Sequence, residues 1–142
     1  MEWSEIMKRI TVLLCILGLF HSLPIKTVIT ATAHTDSFKK IAVSEENIYI
    51  LDREQRLVSI FTTSETEIGR FQIKPADSDI MPDPIDIACG KESLYVLDAA
   101  SEEVMVYDFN GTLRRNIPFV NQYLQAPSAI CYEGENLFIA DI

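Results

Sequence analysis

The sequence predicts an all-β chain, a partial β-propeller of four-stranded antiparallel blades, and three observations carry that prediction. Three windows align without a gap: residues 41–52, 87–98 and 130–141. Each has a short apolar segment, four polar or glycine residues, an aliphatic-aromatic-aliphatic run and a closing aspartate: Asp52, Asp98 or Asp141. The closing aspartates stand 46 and 43 residues apart, the length of a propeller blade. The third observation is the apolar runs themselves, Ile48-Tyr-Ile-Leu, Leu94-Tyr-Val-Leu and Leu137-Phe-Ile-Ala. They are short, rich in strand formers and apolar at successive positions, which marks strands buried on both faces. Sheets stacked against neighbouring sheets bury their strands in this way.

The first 33 residues read as a targeting segment. Lys8 and Arg9 precede an apolar run at residues 10–20, and Ala31-Thr-Ala33 follows. A basic region, a short apolar region and an A-x-A site mark a secretory signal peptide, expected as a helix and cut after Ala33. The run falls short of the roughly 18–20 residues that span a bilayer. An uncleaved N-terminal membrane anchor is the alternative. Glu2 and Glu5 fit the basic region poorly, which makes Met7 a second candidate start. The expected location is secreted or periplasmic, with no membrane span after cleavage.

The remainder, residues 34–142, divides into units at about 38–82, 83–126 and 127–142. The first unit is expected to form strands at 39–44, 47–52, 56–62 and 67–73. The second repeats them at 85–89, 94–98, 103–108 and 112–118, and the third supplies 128–132 and 136–141. Asn110-Gly111 offers positive φ for a tight hairpin. Pro75, Pro82, Pro84 and Pro127 fall between units, where no ladder N–H is needed.

These residues resemble a known family. Pro84-Ile-Asp-Ile-Ala88, then a turn, then Leu94-Tyr-Val-Leu-Asp98 and Val104-Met-Val-Tyr-Asp108-Phe-Asn-Gly111 are similar to the NHL-repeat class of β-propeller. The first unit departs from that pattern where Thr62-Thr-Ser-Glu65 replaces the Asp-x-Asn-Gly hairpin. The resemblance covers about residues 38–142 and implies a fold rather than a reaction, since such propellers host binding scaffolds, lyases and hydrolases alike. Two and a half blades do not close a ring. The expectation is therefore the N-terminal part of a longer, six-bladed propeller, which needs further blades or self-association to close. As given, the chain is expected to expose an open sheet edge and to aggregate or remain partly molten.

Composition narrows the function classes. Lys+Arg number 12 against 21 Asp+Glu, a net charge of −9, which opposes a nucleic-acid-binding face. Of the two histidines, only His34 lies beyond the targeting segment. No catalytic triad, channel-metal set, phosphate loop or zinc motif can be assembled from these residues. No cofactor or metal is expected.

Asp52, Asp98 and Asp141 share one repeat position and are candidates for rim or partner contact, as a ring of carboxylates. The competing reading is an aspartate that hydrogen-bonds the turn leaving the second strand of each unit. Asp77 and Asp79 are further candidates, in the long connection at 74–84. Glu45-Glu46 and Glu102-Glu103 read as solvated tips. Tyr49, Tyr95 and Phe138 recur at one position, as do Phe61 and Tyr107, and are expected to pack between blades. Cys89 and Cys131 fall at adjacent repeat positions and so on opposite faces, which predicts two buried free thiols. The leading function is an exported binding or scaffold module that meets a protein, peptide or glycan through rim loops. The alternative is the non-catalytic N-terminal part of an exported propeller lyase or hydrolase.

Overall fold

The computed structural model describes residues 10–11, 30–31, 39–74, 79–119 and 124–142. The chain divides into Met1–Ser37 and Phe38–Ile142. In the first unit β1 (Ile10–Thr11) pairs antiparallel with β2 (Thr30–Ala31), with Ile10 opposite Ala31. The expected signal helix and the cleavage site after Ala33 otherwise lie outside the described residues.

The second unit contains ten strands and, among its described residues, no helix. The first sheet is β3 (Lys39–Val43), β4 (Asn47–Asp52), β5 (Leu57–Thr62) and β6 (Glu67–Gln72), paired in chain order. The second sheet repeats this plan with β7 (Pro84–Cys89), β8 (Leu94–Asp98), β9 (Glu103–Tyr107) and β10 (Leu113–Pro118). A two-stranded sheet follows, β11 (Pro127–Glu133) with β12 (Asn136–Asp141). All pairings are antiparallel. Each strand lies within one residue of its expected bounds.

The first strands of the three sheets stand side by side, β7 between β3 and β11. The sheets therefore stack face to face, and the apolar clusters are the two seams between them. Tyr49 and Leu51 from the first sheet meet Leu94, Val96 and Met105 from the second. Leu97, Val104 and Ile85 from the second meet Ile130, with Leu137 and Ile139 packed alongside. β8 explains its own sequence: Leu94 and Val96 face the first sheet, while Tyr95 and Leu97 face the third. Alternation across a strand sends successive side chains to opposite faces, and here both faces are covered.

The aromatic residues bridge these seams. Tyr49 stacks on Phe109 with ring centroids 5.7 Å apart. Phe71 meets Tyr107 at 5.0 Å, and Tyr95 lies parallel to Tyr132 at 5.6 Å. Phe138 differs from Tyr49 and Tyr95: it is 57% exposed. It occupies the face of β12 opposite Leu137 and Ile139, and no described residue covers that face. Cys131 is directly paired with Phe138 and shares its exposure. This corrects the expectation of a buried thiol there. Both cysteines are free. Cys89 is half-buried against the first seam, and burial pushes its thiol up to about 12.

The hairpin turns repeat with the sheets. Gly111 has φ +87° and Glu65, its counterpart 46 residues earlier, has φ 67°. In both turns the left-handed residue donates its N–H three residues back, to Asp108 and to Thr62. Only Gly111 of the Asn110-Gly111 pair takes positive φ, so the hairpin is a type I turn closed by a left-handed residue rather than the two-residue turn the dipeptide suggests. Arg56 and Glu102, at φ 53° and 55°, occupy the same left-handed position in the turns between the second and third strands.

Candidate functional site

The repeat leaves two rims. One carries the turns after β4 and β8 and the connections that lead into β7 and β11. Asp52, Asp98 and Asp141 all lie on it, at the ends of β4, β8 and β12. Asp79 is exposed on the connection before β7, and Asp77 lies outside the described residues.

Each of the three aspartates is engaged by backbone. Asp52 Oδ1 accepts the Gln55 N–H at 3.0 Å. Asp98 Oδ2 accepts the Ser101 N–H at 2.9 Å and the Ser101 hydroxyl at 2.5 Å. Asp141 accepts the N–H groups of Gln125 and Ala126, closing the connection that precedes β11. The surroundings differ between repeats. Lys39, opposite Asp52 in the ladder, donates to its Oδ2 at 2.7 Å. Pro84 stands opposite Asp98, and Asp98 Oδ1 is buried with no partner among the described residues. Asp98→Ala is expected to destabilise the fold by roughly 1–3 kcal/mol, because it leaves the half-buried Ser101 N–H and hydroxyl without their acceptor. Chemical denaturation measures this, and a loss under about 0.5 kcal/mol would show the turn to be held by other means.

Asp52 also sets a pH dependence. Burial raises its carboxyl, but the Lys39 hydrogen bond and charge and the Gln55 N–H outweigh burial and hold it below 3.8. The unfolded chain therefore takes up the proton first. The ionised carboxylate stabilises the fold above about pH 4, and this is lost as pH falls through the lower folded value. Lys39→Met should flatten the decline in stability as pH falls below about 4. An unchanged acid limb in urea titrations would count against the Lys39–Asp52 pair as its source.

Asp86 was missed by the sequence reading. It sits on β7 after a bulge at Pro84. Its Oδ2 accepts the Ile130 N–H of the third sheet at 2.9 Å, and Lys40 of the first sheet approaches Oδ1 at 3.8 Å. One carboxylate thus links three sheets. On the same rim, from the turn after β4, Arg53 donates to the Pro84 carbonyl and Arg56 to the Pro82 carbonyl.

The opposite rim carries the turns between the first and second strands, and it holds a cleft of about 720 Å³. The β3–β4 turn supplies one wall, with Ser44, Glu45, Glu46 and Asn47. The β7–β8 turn supplies the other, with Cys89, Gly90 and Lys91, and Phe109 and Tyr132 complete it. Ser44 fixes the first wall: its hydroxyl accepts the Asn47 N–H at 3.1 Å. The Tyr49 hydroxyl lies behind this lining, next to Asn47, Ser44 and Cys89. Tyr49 is 0% exposed. Burial raises its pKa above 10. None of the aspartate candidates lines this cleft. The sequence signal that could have located it is the recurrence of polar turns at 44–47 and 90–93, on either side of one seam. Among the described residues no group of three or more His, Cys, Asp or Glu is placed to hold a metal ion.

No protein-family model matches the chain, and no curated protein matches it in sequence. Solved structures do match. Selenomethionine-substituted virginiamycin B lyase from Staphylococcus aureus superposes with a TM-score of 0.60 at 15% identity, covering 81% of this chain and 39% of that one. A catalytically inactive variant of the same enzyme, bound to quinupristin, gives a TM-score of 0.59 at 15% identity, with the same coverage. The chain therefore spans about two fifths of the length of the structures it matches. At this identity the likeness concerns the fold alone: four-stranded antiparallel sheets stacked as the blades of a β-propeller.

Proposed function

We propose that this chain supplies blades of an exported, NHL-class propeller that binds a protein, peptide or glycan through its rim loops. The cleft between the first two blades carries this reading. It is concave, combines aromatic and polar groups, and is framed by turns on a rigid sheet scaffold, the usual setting of a ligand site. The rim with Asp52, Asp98 and Asp141 is the weaker candidate, since its carboxylates already serve their own turns. The leader motif before Ala33 supports export to the periplasm or the exterior, and a six-bladed ring remains part of the proposal.

A peptide library and a glycan array probed with the labelled full chain test the reading. Lys91→Trp, which puts a bulky ring over the cleft mouth, should abolish the hits. Hits indifferent to it would move the site elsewhere, and an absence of hits would overturn the binding-module reading.

A second reading is favoured by the superposition on virginiamycin B lyase. In it these blades are the non-catalytic part of a propeller lyase or hydrolase. Histidine and acidic residues on inner strands of blades encoded downstream of Ile142 would favour it over the first.

A further inference from the structure

We propose that the cleft between the first and second blades takes a cationic side chain, the guanidinium or ammonium group of a basic peptide. The inference rests on the reading of this rim as a binding surface and names the ligand that the surface fits.

Two observations converge. The first is charge. Among the described residues Lys91 is the one cation lining the cleft, and its ammonium is already paired with Glu135 at 2.9 Å. Glu45 and Glu46 form no ion pair among the described residues, so the uncompensated charge at the mouth is negative. The second is the aromatic wall. Phe109 is held by its stacking on Tyr49, and Tyr132 by its stacking on Tyr95. Half-buried rings fixed in this way can receive an alkyl stem and attract a cation toward their faces. A guanidinium carries five N–H donors in a rigid fork, enough to serve the carboxylates at the mouth while its plane lies on a ring. A neutral sugar would answer the aromatic rings but leave the two carboxylates uncompensated.

Amide NMR spectra of the isotopically labelled full chain, titrated with acetyl-arginine amide and with its neutral twin acetyl-citrulline amide, test the proposal. The arginine compound should shift amides of residues 43–47, 89–91 and 109–111, and the citrulline compound should not. Glu45→Gln with Glu46→Gln should weaken the arginine response about tenfold. Glu54→Gln with Glu102→Gln, on the opposite rim, serves as a control for overall charge and should leave the response intact.

Equal shifts from both compounds, or equal loss in both glutamate pairs, would overturn the proposal. Shifts at these residues with maltose but not with arginine would overturn the cationic ligand while sparing the rim as a binding surface. Silence toward arginine, together with silence on the peptide and glycan arrays, would remove both readings.

Discussion

Leu97→Ala will destabilise the blades by roughly 2–5 kcal/mol, the range for deleting a fully buried leucine side chain. Leu97 is 0% exposed. It sits in the seam with the third sheet, among Ile85, Val104 and Ile130. Truncation forfeits the transfer free energy of the side chain and leaves a cavity that two stacked sheets are poorly able to close, because each is held by its own ladder. Chemical denaturation followed by circular dichroism measures the loss. Phe138→Ala is the internal contrast. Phe138 is larger but 57% exposed on the outer face of β12, so its truncation should cost well under about 1 kcal/mol. Equal losses at the two positions would mean that the seam is not where the stability lies.

Gly111→Ala will cost roughly 2–4 kcal/mol, from two effects that act together. Gly111 has φ +87°, a region that L residues occupy at an energetic cost. A Cβ there would also collide with the ring of Phe71 from the neighbouring blade. That ring is itself held against Tyr107, so it cannot swing aside cheaply. Glu65 separates the two effects. It has the same left-handed backbone in the first blade, so Glu65→Gly should stabilise by about 0.5–1 kcal/mol through relief of φ alone. If Gly111→Ala cost no more than Glu65→Gly gained, the contact with Phe71 would be irrelevant.

Legibility in the sequence follows from what repeats. The strands were readable because each is a short run of strand formers bounded by polar turns, written at a fixed interval. Asp52 and Asp98 were readable as turn aspartates for the same reason, since their N–H partners lie only three residues ahead. Asp86 was not. Its partners, Ile130 and Lys40, lie 44 and 46 residues away and belong to other blades, so nothing local announces it. The left-handed turn residues Arg56, Glu65 and Glu102 were equally hidden, because the usual signal of positive φ is glycine or asparagine. Cys131 and Phe138 were misjudged for a related reason. Their counterparts in the preceding repeats are buried or, at Tyr95, half-buried, but burial there is supplied by the next sheet.

The amino-acid order alone determined the architecture: β structure, strand bounds, repeat length and the presence of two buried faces on β8. These follow from backbone propensity and side-chain period, which act over a few residues. Only the tertiary structure decided that Glu45 and Glu46, which read as a solvated tip, stand across a cleft from Lys91 and beside Phe109. Those groups lie as much as 64 residues apart in the chain, and the angle at which one sheet stacks on the next brings them together. That angle is set by the summed packing of Tyr49, Leu51, Leu94 and Val96 in the seam, not by any segment that can be read alone.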